Sequence, residues 1–245
     1  MTRPPSYLLC GTPRTGSTLL CDLLASTGVA GRPESYFREP DVGSWASRFG
    51  VPTPGSEFFD YRGFVAGAVR AGATPNGVFA ARIMWGTMHL LVDGLRHSPR
   101  GPSRDIDVLT EAFGPLWLIH LRREDVVGQA VSWARAEQTG YWQRGDEPRA
   151  DPRLDLDQIN SLVRTIHEHN TAWSTWFSAQ GVQPHAVAYE DLIAAPRRTV
   201  HVILDRLGVK APRGWRPESA HRRQADHVNA DWIRCYGAVL DRAGP

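Results

Sequence analysis

The sequence of 245 residues contains a single lysine, Lys210, so arginine carries almost all of its positive charge. Its three cysteines, at positions 10, 21 and 235, have neither CxxC nor metal-ligand spacing, which disfavours a redox centre or a zinc site. The first residues do not show the pattern of a signal peptide, in which positive charge is followed by an apolar stretch. No apolar run is long enough to cross a bilayer. We therefore expect a cytoplasmic protein without a membrane span.

Residues of one charge sign are not concentrated in any part of the sequence. The net charge is +2, and the basic residues are spread along the chain rather than gathered in a run. Such a distribution gives no footprint for DNA or RNA, so we predict no nucleic-acid partner. With 42% hydrophobic residues, the chain can bury one sizeable α/β core, which predicts a single domain over residues 1–245.

What the sequence does contain is a glycine-bracketed loop, residues 11–18, between an apolar run at 7–10 and a helix-like run at 19–26. A strand, such a loop and a helix start together gather backbone N–H groups around an anion. The spacing is that of a P-loop, but Ser17 stands at the lysine position. Because the single lysine is distant in the sequence, the positive charge that assists phosphate binding must come from arginine. We predict that this loop binds a phosphate-like group and that the protein is not an ordinary ATP or GTP hydrolase.

A second signal follows the apolar run at 116–121, which is typical of a strand buried on both faces. A nucleotide hydrolase would place an aspartate at such a strand end to hold Mg²⁺. This strand ends in Arg122 and Arg123, which predicts an anion site and no metal. Ser132, in the following helix, either bonds the same anion or is a tolerated polar residue. Arg82 lies near the end of another predicted strand, at 78–85, where open α/β sheets place ligands.

The segment between the first helix and Pro54 is predicted to be irregular. It contains Tyr36 and Phe37 beside carboxylates and prolines, which suits either a substrate loop or a surface loop anchored to the core by its aromatic rings. Aromatic faces pack on sugar rings, so residues 36–59 and 141–142 are candidates for contacting a sugar.

Five blocks of the sequence, taken together and in order, resemble PAPS-dependent sulfotransferases, and within them the bacterial trehalose 2-sulfotransferase type. The blocks are residues 13–20 (PRTGSTLL), 82–85 (RIMW), 122–133 (RREDVVGQAVSW), 189–192 (YEDL), and 223–226 (RQAD) followed by Trp232. The match covers nearly the whole chain.

The resemblance implies a P-loop-like sulfotransferase fold, with a central parallel sheet flanked by helices. It also implies transfer of a sulfuryl group from PAPS, without a metal, to a hydroxyl of a small molecule such as a carbohydrate or glycosylated metabolite, with release of PAP. Relatives are often dimers, which leaves a homodimer open. Two other functions are retained: a P-loop kinase-like phosphotransferase and a catalytically silent PAP-binding protein.

The resemblance also implies two anion sites, because PAPS carries a 5′-phosphosulfate and a 3′-phosphate. The residues implied for the 5′ end are Arg14, Thr15, Gly16, Ser17 and Thr18. The strand-end Arg123, with Arg122 and Ser132, is implied for the 3′-phosphate. Arg14 would also act in catalysis, by stabilising the negative charge that builds on the departing phosphate oxygen.

The proton acceptor is where the sequence departs from its relatives. A base must take the proton of the attacking hydroxyl. Trehalose-type relatives carry a glutamate two residues after a proline, and here Ser35 occupies that place, with Glu34 one residue earlier. Arg32 stands where such a relative has an acidic residue, so trehalose is not fixed as the acceptor. We predict Glu34 as the catalytic base; the alternatives are Glu39, His89 and His120, or a substrate acidic enough to need less help from a base.

Overall fold

The computed structural model describes residues 6–96, 102–142, 146–217 and 227–243. Within these ranges four strands form one sheet, and every neighbouring pair is parallel. The strands are β1 (Ser6–Gly11), β2 (Ala80–Met84), β3 (Leu116–Arg122) and β4 (His185–Ala188), in the spatial order β2-β1-β3-β4. The predicted α/β fold with a central parallel sheet flanked by helices is confirmed.

The helices flank this sheet. They are α1 (Ser17–Ser26), α2 (Glu39–Phe49), α3 (Tyr61–Gly72), α4 (Trp85–Leu95), α5 (Asp105–Phe113), α6 (Val126–Thr139), α7 (Leu156–Ala179), α8 (Tyr189–Ala194), α9 (Pro196–Arg206) and α10 (His227–Ala243). Residues of α1, α8 and α9 form a core with one face of the sheet, and residues of α2, α3, α4, α5 and α7 form a core with the other. In the described part, no helix is long and apolar enough to cross a membrane.

Both faces of strand β1 are buried, and its central residues, Tyr7 to Cys10, are accordingly apolar. Leu8 and Cys10 belong to the core beneath α7, whereas Tyr7 and Leu9 belong to the core beneath α1. The register pairs Leu8 with both Ala81 of β2 and Leu118 of β3. Parallel strands end at one edge of a sheet, so the loop after β1 lies at the same edge as the ends of β2 and β3.

The segment predicted to be irregular contains a helix, α2, which corrects that prediction. A proline occupies its first turn, where proline is tolerated, and the Arg38 guanidinium binds the Asp41 carboxylate at 2.6 Å. Tyr36 and Phe37 are each 2% exposed and pack among core aromatic rings that include Phe64. The interpretation in which these rings anchor the segment to the core is confirmed, and they are not available to a sugar.

Trp173 of α7 connects the core to the end of β1. Its side chain is fully buried and stacks on Phe177, and its indole Nε1 donates a hydrogen bond of 3.0 Å to the carbonyl oxygen of Gly11. This bond fixes the residue at which the strand ends and the loop begins. A buried carbonyl that loses its donor costs free energy comparable to a full hydrogen bond.

We expect Trp173→Phe to lower the free energy of unfolding by about 1–3 kcal/mol, because it leaves the Gly11 carbonyl without its indole donor. Urea unfolding measures the change. Trp142→Phe, at a side chain that is 41% exposed, is the control and should change stability by about 0.5 kcal/mol or less. Equal losses in the two variants would contradict the role given to the indole bond.

Candidate anion-binding and catalytic site

The loop between β1 and α1 is shaped to present backbone N–H groups. The hydroxyl of Thr15 donates to the Thr12 carbonyl at 2.9 Å, and Arg14 and Gly16 have φ angles of 67° and 81°. Gly16 is the N-cap of α1 and makes no side-chain capping bond, and the first turn holds no acidic residue. The first N–H groups of a helix lack partners within it and favour an anion, so this end of α1 is suited to a phosphate-like group.

The ring of Tyr189, at the start of α8, lies between this loop and the residues that follow β3. A Cβ atom added at Gly16 would lie 2.5 Å from the ring, so only glycine allows the contact. The Arg123 guanidinium carbon lies 4.8 Å from the centroid of the same ring, within range of a cation–π interaction. Tyr189 therefore holds the two predicted anion-binding segments beside one another.

Arg14 joins the two segments directly. Its Nε donates to the hydroxyl of Ser132 on α6 at 3.0 Å, and its NH1 donates to the Trp142 carbonyl at 2.6 Å. Burial, and then the neighbouring charges of Arg123 and Arg135, lower the pKa of Arg14 to about 10. The resemblance implied that Arg14 and Ser132 serve opposite ends of the nucleotide, whereas the structure places them in contact.

Arg123 has a donor that is not used within the described part of the chain. Its side chain is 14% exposed, and its NH2 group binds the Asp125 carboxylate at 2.9 Å. Its Nε atom is buried and has no hydrogen-bond partner among the described residues. A buried donor without a partner is costly, and an anion would satisfy it. Gly128 makes room for this side chain, since a Cβ there would lie 2.6 Å from the Arg123 NH2 atom.

Two polar side chains hold these segments in place, and the sequence analysis gave neither of them a role. Gln129 of α6 is fully buried, and its Nε2 donates to the Pro13 carbonyl at 2.7 Å. The Glu190 carboxylate accepts from the backbone N–H groups of Glu124 and Asp125 at 3.2 and 3.3 Å. Two signals could have indicated these supports, namely a glutamine among alanines and valines in α6 and a carboxylate two residues after the end of β4.

Arg122 and His120 lie apart from this cluster. Arg122 is exposed, and its charge affects His120 rather than Arg14. His120 is 5% exposed between the rings of Trp173 and Phe177. Burial, and then the charge of Arg122, lower the pKa of His120 to about 4. A histidine buried among aromatic rings is poorly placed to meet a substrate hydroxyl.

The other two alternatives for the base lie on separate helices. His89 is exposed on α4 and packs edge-on against Trp85, with ring centroids 5.1 Å apart. Glu39 is exposed in the first turn of α2. Among the described residues, neither makes a backbone bridge to β2 of the kind that Glu34 makes with Ala81.

The Glu34–Ser35 segment is held against β2 by Arg82. The backbone N–H of Arg82 donates to the Glu34 carbonyl at 2.9 Å. Its guanidinium donates from Nε to the Ser35 hydroxyl and from NH1 to the Thr18 hydroxyl, each at 2.8 Å. The sequence analysis noted Arg82 only for its position in the strand. Its side chain connects the first turn of α1 to the segment that carries the predicted base.

The Glu34 side chain is exposed, yet the protein around it disfavours its charged form. Partial desolvation raises the pKa of its carboxyl above the ordinary value of 4.5, and the charge of Asp22 adds to this effect. The charges of Arg82 and Arg48 act in the opposite direction. A carboxylate with a raised pKa is a stronger base, which suits a proton acceptor.

Comparison with known proteins identifies the family. Residues 6–238 match the family model described as Stf0 sulphotransferase. The chain belongs to the Stf0 sulfotransferase family. Residues 223–226, one block of the resemblance, lie outside the described residues of this Stf0 sulfotransferase, so the structure says nothing about them.

Two curated relatives are similar over almost their whole length. The trehalose 2-sulfotransferase of Mycolicibacterium smegmatis (strain ATCC 700084 / mc(2)155) is 31% identical over 269 residues, covering 98% of this chain and 97% of the relative. The trehalose 2-sulfotransferase of Mycobacterium tuberculosis (strain ATCC 35801 / TMC 107 / Erdman) is 31% identical over 264 residues, covering 97% and 96%.

Among solved structures, the sulfotransferase domain from the Synechococcus PCC 7002 olefin synthase aligns with 96% of this Stf0 sulfotransferase and 89% of that chain. The TM-score is 0.47 and the sequence identity is 17%. The fold assignment therefore rests on the family match and on the sheet itself.

We expect Gly16→Ala to lower the free energy of unfolding by about 3 kcal/mol, since it combines a strained backbone with a collision against the Tyr189 ring. Gly28→Ala is a matched control. Gly28 also has a positive φ, of 68°, but an added Cβ would have no atom within 4 Å, so its loss should be about 1 kcal/mol. Urea unfolding compares the two variants, and equal losses would show that the tyrosine contact is unimportant.

Proposed function

We propose that this Stf0 sulfotransferase transfers a sulfuryl group from PAPS to a carbohydrate hydroxyl and releases PAP, with trehalose as the first acceptor to test. The observation that carries the proposal is the position of Arg14, which lies at the uncapped end of α1 and also donates to Ser132, beside Arg123. Two anion-binding segments thus meet at one arginine. PAPS has an anionic group at each end, and the two curated relatives act on a sugar.

The residues fit such a nucleotide. The N–H groups and hydroxyls of loop 14–18 would hold the 5′-phosphosulfate. Arg123, through its Nε without a partner among the described residues, and Ser132 would hold the 3′-phosphate, whereas Arg122 lies apart from them and is given no part in that site. When bound, PAPS supplies the sulfuryl group together with a phosphate as its leaving group.

Arg14 is suited to stabilising the charge that develops on the leaving group. Its guanidinium is fixed by two acceptors, the Ser132 hydroxyl and the Trp142 carbonyl, so little reorganisation is needed during the reaction. With a pKa of about 10, it still carries its positive charge at neutral pH. Fixed donors in a partly buried site stabilise charge more strongly than the same groups do in water.

Glu34 is suited to removing the proton from the acceptor hydroxyl. Glu34 is an exposed residue, so a substrate can reach it, and its raised pKa increases its basicity. The backbone N–H of Arg82 donates to the Glu34 carbonyl, and its guanidinium donates to the Thr18 hydroxyl, which sets the base segment beside the first turn of α1. Proton acceptor and anion loop are therefore connected through one residue.

The direct test is a transfer assay read by mass spectrometry. The protein is incubated with PAPS and trehalose, and then with other disaccharides and glycosides. We expect a sugar that gains one sulfuryl group, with stoichiometric PAP. PAP binding without a product from any acceptor would favour the silent nucleotide-binding alternative, and Mg²⁺-dependent turnover of ATP would favour the kinase-like alternative.

Glu34→Gln should lower turnover by at least about a hundredfold, the range usually associated with general-base catalysis, while the affinity for PAP stays nearly unchanged. The matched control is Glu39→Gln, which removes a carboxylate from one of the alternative bases and should leave turnover close to that of the wild type. Steady-state kinetics and calorimetric titration with PAP give the two readouts. Wild-type turnover in Glu34→Gln would remove Glu34 from this role.

The pH profile of kcat/KM should have an acid limb above the ordinary glutamate value of 4.5. The folded-state pKa of Glu34 is raised, so the carboxylate is already protonated, and inactive as a base, at a pH where an ordinary glutamate is still charged. Activity should fall as the pH drops through this raised pKa. A limb at or below 4.5 would contradict the assignment.

A further inference from the structure

The Arg82 guanidinium makes hydrogen bonds that the proposed function does not by itself require. It lies between α1 and the Glu34–Ser35 segment and donates to the Thr18 hydroxyl and the Ser35 hydroxyl, each at 2.8 Å. No carboxylate forms a salt bridge with Arg82 within the described part of the chain. This half-buried cation is therefore held by two neutral hydroxyl groups.

The chemistry of the guanidinium fixes the direction of both bonds. An arginine side chain has donors and no acceptor, so each hydroxyl must accept the bond from Arg82 and keeps its own hydrogen to donate elsewhere. Among the described residues, neither Thr18 nor Ser35 donates a side-chain hydrogen bond. Ser35 is 8% exposed, and a buried hydroxyl with an unused hydrogen is unfavourable unless a ligand accepts it.

The two hydroxyls face different parts of the proposed reaction. Thr18 is the second residue of α1, at the helix end whose N–H groups are suited to the nucleotide. Ser35 directly follows Glu34, the proposed proton acceptor. The Arg82 guanidinium thus orients one hydroxyl near the nucleotide, that of Thr18, and one near the acceptor, that of Ser35.

We propose that Arg82 is a positioning residue that turns the hydroxyl hydrogens of Thr18 and Ser35 into the site and keeps a positive charge beside Glu34. Thr18 then donates to the 5′ end of the nucleotide, and Ser35 donates to an oxygen of the carbohydrate acceptor. This inference rests on the proposed function for the identity of the two ligands. It gives Ser35, which stands in place of the expected glutamate, a role as a hydrogen-bond donor.

The charges around Glu34 come from several elements. Arg82 of β2 and Arg48 of α2 favour its charged form, whereas Asp22 of α1 opposes it. Burial, and to a smaller extent the charge of Glu34, raises the pKa of Cys21 and Tyr36, which are both neutral at physiological pH. Removing the charge of Arg82 would leave desolvation and Asp22 less opposed.

The nucleotide side is tested by a double-mutant cycle on binding. Arg82→Gln and Thr18→Val should each weaken PAP about tenfold, and the double variant should be no weaker than either, because they remove one shared interaction. Adenosine 3′-phosphate, which lacks the 5′-phosphate, should bind all the variants equally. Arg62→Gln, at an exposed arginine of α3, is the control and should bind PAP like the wild type.

Independent losses that add in the double variant, or equal losses for PAP and adenosine 3′-phosphate, would overturn the nucleotide side of the proposal. So would unchanged PAP binding in Arg82→Gln. If the wild-type protein binds no PAP, the proposed function itself fails, and the role of Arg82 is then decided without any ligand.

That ligand-free test is an NMR titration of the Glu34 side-chain carboxyl in the whole chain, labelled with ¹³C. The Glu34 pKa should be higher in Arg82→Gln than in the wild type, and unchanged in Arg62→Gln, since only the first variant removes the opposing charge. A merely structural arginine elsewhere in the fold would not move this value. An unchanged Glu34 pKa in a folded Arg82→Gln protein would overturn the positioning role beside the base.

Discussion

The contact of the Tyr189 ring with Gly16 on one side and Arg123 on the other is the constraint on which the site depends. It sets the distance between the helix end after β1 and the arginine after β3. Arg14 can then reach Ser132, and Gln129 can reach the Pro13 carbonyl. A larger residue at position 16 would separate the two segments. The parallel sheet brings them to one edge, and the tyrosine fixes how they meet.

Much of this arrangement could be predicted from local sequence. The glycine spacing of loop 11–18 indicated an anion site, and the arginines at the end of β3 indicated a second one. These signals are local because a helix end or a strand end needs only its own few residues. Helix α2 was missed because its residues, EPDVGSWASRF, include a proline and a glycine, although Val42, Trp45, Ala46 and Phe49 recur at helical spacing and pack in the core. Its first turn also carries the pairing of Arg38 with Asp41.

The contacts that define the chemistry are not local, and sequence alone could not predict them. Arg14 and Ser132 are 118 positions apart, and Arg82 and Ser35 are 47 positions apart. Which donor reaches which acceptor is decided by the register of β1 against β2 and β3. The same holds for Glu34, whose basicity depends on desolvation and on charges from α1, α2 and β2. A motif indicates the type of group present, and packing decides its partners.

The central claim is that this sheet edge binds a nucleotide with an anion at each end and does so through arginine. Calorimetric titration of the wild-type protein with PAP, in buffer containing EDTA, tests it most directly. The account predicts saturable one-to-one binding that does not require Mg²⁺, and no comparable binding of ATP under the same conditions. An absence of PAP binding, or binding that appears only for ATP with Mg²⁺, would contradict it.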